Sequence, residues 1–144
     1  MISLTPSSSS RAVGTVVGLL CVLLGAGCGF FQDSTSPSST RTETFSGTLS
    51  QHGNAVGTFT VSQTGTVSVT LASLSPSSTV AVGLGIGTPS GTNACTLTTS
   101  TSNAVAGSSA QISVTENPGS FCVEIYDVGN LTTAVTYTIN VTHS

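Results

Sequence analysis

The side chains able to do chemistry in this 144-residue chain are few: four cysteines, two histidines and five carboxylates, set among 25 serines and 25 threonines. Cys28 closes the run Gly25-Ala26-Gly27-Cys28. Cys95 and Cys122 form an even pair, and in an exported chain such a pair points to a disulfide rather than a metal site. Closing a loop of about 28 residues would contribute roughly 3 to 4 kcal/mol in the chain-entropy model. Cys122 lies between Phe121 and Val123, so strand alternation turns it away from the main apolar set. The bridge is therefore expected to staple a loop or edge strand over the outside of a sheet. Cys21 sits inside an apolar run and is expected to leave with the leader.

The remaining titratable groups do not assemble into a reaction centre on paper. His52 falls in a turn, and His143, next to the last residue, is expected to be frayed. No nucleophile-elbow pattern accompanies the many serines. Glu124 and Asp127 are three residues apart, which alternation places on opposite faces, unsuitable for paired glycosidase carboxylates. Gly83, Gly85 and Gly87 precede no helix and so form no phosphate loop; they read as a strand face kept bare for close packing. Asp127 with the Asn130 side chain could offer oxygens to calcium, but a solvated turn is the simpler reading. The expectation is therefore no catalytic residue, no metal site, no cofactor, and a chain that is not an enzyme.

The elements that would position these residues begin with a leader. Met1 to Arg11 is polar and ends on a positive charge, and Ala12 to Leu24 is an uncharged apolar stretch. This is the order of a signal peptide, expected to be helical. The small residues before Cys28 resemble the lipobox of bacterial lipoproteins, with Gly25 where leucine is usual. The resemblance implies a diacylglycerol on the Cys28 thiol, cleavage after Gly27 and an acylated new amino terminus. Two or three acyl chains give stable anchoring where one is marginal. The alternative is a retained membrane helix over Ala12 to Phe31, whose five glycines disfavour it. Either way the domain stands outside the cytoplasmic membrane, facing the periplasm or the cell surface. Residues 28 to 41 follow as the lipidated cysteine and a flexible, disordered Ser/Thr linker, with no apolar side chain but Pro37 between Gln32 and Thr42.

Composition narrows the function of what remains. Lysine is absent, and the chain after residue 27 sets Arg41 against five carboxylates, a net of −4. That balance argues against nucleic acid as a partner, because phosphate neutralisation by Lys and Arg supplies most of such affinity. With 38% apolar residues at fixed spacing, a packed core is within reach.

Residues 42 to 144 carry a period of two. Val67, Val69 and Leu71 alternate with Thr66, Ser68 and Thr70; the same holds for Val80, Val82, Leu84 and Ile86, for Ala110, Ile112 and Val114, for Phe121, Val123 and Ile125, and for Val135, Tyr137, Ile139 and Val141. Weaker runs span Thr44 to Leu49, Val56 to Val61 and Cys95 to Thr99. Turn residues separate them, among them Gln51-His52-Gly53-Asn54, Ser75-Pro76-Ser77-Ser78 and Asp127-Val128-Gly129-Asn130. About eight short strands, each with one wet face, predict an all-β antiparallel sandwich of jelly-roll or immunoglobulin-like kind.

The ordered segments Phe45-Ser46-Gly47-Thr48-Leu49, Thr58-Phe59-Thr60-Val61, Gly65 to Leu71, Pro118 to Asp127 and Tyr137 to Val141 resemble the bacterial pre-peptidase C-terminal domain. The likeness covers most of residues 42 to 142. It implies a β-sandwich of jelly-roll type, an accessory module of exported enzymes rather than their catalytic unit. No peptidase is attached here, and Ser77-Ser78-Thr79 stands where the family often has an acidic residue.

The reading that results is a membrane-anchored exported lipoprotein presenting a non-catalytic sandwich. Its partners would be membrane lipid through Cys28 and a glycan or envelope protein, engaged by hydroxyl-rich strand faces and by loops at one end, with Tyr126 as an exposed aromatic. The alternatives are an envelope protein with no specific ligand, and an accessory module working with a separate secreted peptidase or glycan-active enzyme.

Overall fold

The structure, a computed structural model, describes residues 39–144. The leader, Cys28 and the linker as far as residue 38 lie outside the described residues. Eight strands follow in order: β1 (Arg41–Leu49), β2 (Asn54–Val61), β3 (Gly65–Ser75), β4 (Val82–Gly91), β5 (Ala94–Ala104), β6 (Ile112–Glu116), β7 (Gly119–Tyr126) and β8 (Val135–His143). They form two four-stranded sheets, β1-β8-β3-β6 and β2-β7-β4-β5. Every pairing is antiparallel. Eight strands in this interleaved order make a jelly roll, so the expected sandwich is the fold. β1 starts at Arg41, one residue before the expected domain boundary.

The period of two builds the core directly. Val67, Val69 and Leu71 of β3 and Tyr137, Ile139 and Val141 of β8 turn inward and are buried, meeting Phe59 and Val61 of β2, Leu84 and Ile86 of β4 and Val123 and Ile125 of β7. Two expected features differ. Ala110 is exposed, because β6 begins only at Ile112. The Gln111 side chain explains this: its amide donates to the Val105 carbonyl at 2.9 Å and its oxygen accepts from the Leu71 N–H at 2.7 Å, which holds the preceding residues as a loop against β3. β5 is also longer than the Cys95–Thr99 run, extending to Ala104.

The second sheet is folded upon itself. In the strand order β4 separates β5 from β7, and strands two places apart are normally about 9 to 10 Å from each other. Yet Cys95 of β5 and Cys122 of β7 are disulfide-bonded with Cα atoms 5.9 Å apart. β5 therefore leans over the outer face of β4. Two glycines of β4 make this possible: a β-carbon on Gly87 would overlap the Thr96 carbonyl and one on Gly85 would sit 2.7 Å from the Leu97 methyls, while Gly83 is covered instead by the Tyr126 ring of β7. A register shift between Ile86 and Gly87 accompanies the lean. Cys122 does point outward as alternation requires, and it is buried because β5 covers it. The bridge thus staples an edge strand over the outside of the sheet.

Candidate functional site

β5 covers the outer face of β4 in the second sheet, whereas the outer face of the first sheet is crossed by no other strand. Its outward positions are Thr42, Thr44, Ser46 and Thr48 on β1, Thr136, Thr138, Asn140 and Thr142 on β8, Thr66, Ser68, Thr70, Ala72 and Ser73 on β3, and Ser113 and Thr115 on β6. Antiparallel register lines them into rows: Thr42, Thr142, Ser68, Ser113; then Thr44, Asn140, Thr70; then Ser46, Thr138, Ser73. No outward strand position on this sheet carries a charge. Neighbouring hydroxyls bond across β1 and β8, Thr42 with Thr142 at 3.0 Å, Thr44 donating to Asn140 Oδ1 at 2.9 Å, and Ser46 donating to Thr138 at 3.2 Å. Each hydroxyl has one proton and two lone pairs, so these bonds leave acceptor capacity on every row.

The face is not flat throughout. Between Leu71 and Ser73 the β3 register shifts, and Gly107 of the β5–β6 loop donates its N–H to the Leu71 carbonyl at 2.9 Å. The loop so held forms one side of a hollow of about 620 Å³, lined by Thr42, Thr70, Ala72, Gly107, Ser108, Asn140 and Thr142. The hydroxyl face is legible in the sequence and the hollow is not. The signal was the Gln111 side chain, which no period could assign to loop bracing.

At one end of the sandwich a second polar cluster gathers around Asp127. Its Oδ2 accepts the His52 N–H at 2.8 Å, and Oδ1 accepts the N–H groups of Gly129, Asn130 and Leu131 at 2.9, 3.0 and 3.2 Å. The His52 donor foremost holds the carboxyl below its ordinary range; desolvation opposes this, and the Leu131, Gly129 and Asn130 donors add to it. Gln51 Nε2 donates to the Leu131 carbonyl and Asn130 Nδ2 to the Ala81 carbonyl, both at 3.0 Å. Asp127 and Asn130, expected in a solvated turn, are thus engaged in bracing three loops together. No grouping of three or more His, Cys, Asp or Glu able to hold a metal occurs among the described residues. Glu124 accepts from Asn54 Nδ2 at 2.8 Å on its own strand pair, and Glu116 pairs with Gly65 at the end of β6, so the carboxylates are not brought together.

His143 is not frayed. It is the buried end of β8, 2% exposed, with Nε2 3.2 Å from Glu43 Oε1 and its ring 5.3 Å from that of Phe59. The pairing of Arg41 with His143 places β1 beside it, and the core closes over the imidazole. Nδ1 lies 3.4 Å from the Ser144 carbonyl, so neither ring nitrogen addresses a serine hydroxyl. His52 adopts a left-handed φ of 53° in the β1–β2 turn and meets Asp127 through its backbone, not its ring. Tyr126 differs from the exposed aromatic expected: its ring lies half-buried on Gly83.

Against known proteins, no family model matches this chain and no curated protein matches it.

Proposed function

We propose that the chain is an exported lipoprotein, anchored in a membrane through acylated Cys28, that presents a non-catalytic jelly-roll module for binding in the cell envelope. The observation that carries the binding half is the outer face of the first sheet, an uncharged array of Ser, Thr and Asn in register across its strands and indented by one hollow. The anchoring half rests on the polar leader, the apolar run and the Gly25-Ala26-Gly27-Cys28 sequence. The disulfide is in keeping with an oxidising compartment. A likeness to the pre-peptidase C-terminal domain supports an accessory rather than a catalytic role.

The deciding experiment replaces Cys28 by Ser in the full chain. Fatty-acid labelling and membrane recovery should both be lost. Unchanged labelling and attachment would remove the lipoprotein reading and leave a retained membrane helix in its place.

A further inference from the structure

We infer that the outer face of the first sheet is a binding site for a neutral polysaccharide chain, centred on the hollow between Thr42, Thr70, Ser108, Asn140 and Thr142. This rests on the reading of the domain as a binding module and adds the location and the ligand class.

The chemistry of the face selects the ligand by what it offers. Five charged side chains lie within the described residues, Arg41, Glu43, Glu116, Glu124 and Asp127, and none occupies an outward position of this sheet. A polyanion or a phosphate would find no cation there. The outward strand positions also lack any aromatic or large aliphatic side chain, so a protein partner would find none of the buried anchors that dominate protein interfaces. What remains is donors and acceptors of neutral kind, repeated about 4.8 Å apart across strands and about 6.7 Å apart along them. A ligand that is uncharged, rich in hydroxyls and long enough to meet several rows matches this pattern. Hydroxyl pairs are individually weak in water, so the length of the array matters: many contacts on one polymer act together where a single sugar would not be held.

The hollow gives the array a centre. There the face is lined on one side by the β5–β6 loop, and the Asn140 amide, whose Oδ1 already accepts from Thr44, keeps Nδ2 without a hydrogen-bond partner among the described residues. An amide beside several hydroxyls supplies both donor and acceptor to a vicinal diol.

The test uses the full chain in detergent, run through gels containing cellulose derivatives, soluble starch, β-1,3-glucan or chitosan-free glycol chitin, with polygalacturonate as the acidic control. At least one neutral polymer should retard the protein, and polygalacturonate should not. Thr70→Arg and Thr142→Arg, both outward-facing, should each weaken retardation at least tenfold, while Thr133→Arg in the β7–β8 loop should not. Should an arginine variant fail to fold, the near-isosteric Thr142→Val with Asn140→Ala serves the same purpose. The proposal is overturned if no neutral polymer retards the protein, or if face variants bind like the parent. Loss on Thr133→Arg alone would move binding to the loops, sinking this site while leaving the binding-module reading intact.

Discussion

The carbonyl of Thr96 occupies the space in which a β-carbon of Gly87 would stand. Backbone of β5 thus lies directly on backbone of β4, and the two strands are at once hydrogen-bonded neighbours and stacked layers. This relationship buries the outer face of β4 beneath β5, a cover that no strand of the first sheet receives.

Gly87→Ala should be the most damaging single methyl that can be added to the domain. The obstacle is main chain, which cannot rotate away, so the cost should be on the order of 3 kcal/mol. Gly85→Ala meets only the Leu97 methyls and should cost about 1 kcal/mol. Thermal unfolding of the two variants checks the order; equal destabilisation would show that β5 does not rest on Gly87.

Removing the bridge by Cys95→Ser with Cys122→Ser should lower stability by about 3 to 4 kcal/mol, from the loop of 27 residues' separation that it closes. Hydrogen exchange should rise first in β5, since its other attachment is to β4 alone. Uniform acceleration over both sheets would contradict the stapled-edge arrangement.

Much of this architecture is legible in the sequence, and the parts that are not share a cause. β3 and β8 alternate cleanly because each has one buried and one wet face, as Val67 to Leu71 and Tyr137 to Val141 show. β5 hides because both its sides are largely wet, Leu97 and the terminal Ala104 excepted, so its length leaves no period to read. The Gly83, Gly85, Gly87 stripe announced close packing but not what packs. His143 was illegible for a different reason. Burial of a residue beside the chain's last position depends on a strand 100 residues earlier, which no local pattern reports. The hydroxyls of the open face were visible, whereas the hollow depends on where Gln111 sends its side chain.

Asp127 should titrate below the ordinary carboxylate range, and the sign of the consequence follows. A folded-state pKa lower than the unfolded one means the carboxylate stabilises the loops above the ordinary range, and this contribution is lost as pH falls through the depressed value. The amide resonances of His52, Gly129, Asn130 and Leu131 should shift together in that acid window. Asp127→Asn retains an acceptor and should loosen the loops less than Asp127→Ala. Amides titrating separately would show that no single carboxylate joins them.

His143→Ala should cost about 2 to 3 kcal/mol, since it empties a buried site against Phe59. Glu43→Ala should cost about 1 kcal/mol, because its carboxylate is partly solvated. Arg41→Ala should be close to neutral, its 3.7 Å contact with Glu43 being exposed. Urea unfolding of the three variants and of the His143–Glu43 double variant measures the coupling; strict additivity would mean the pair merely coincides.

The place of β8 in the first sheet has a consequence for how the molecule comes into being. β8 comes last among the eight strands in chain order yet is an interior one, flanked by β1 and β3, and its partners on β1 lie 86 to 102 residues before it. A nascent chain lacking β8 has two unfinished edges where its main sheet should be and cannot close its core. Folding of the domain is thus deferred until β8 has been made, with the slow, long-range closure typical of such topologies. Were the chain exported in an extended state, as proposed, that delay would keep it threadable.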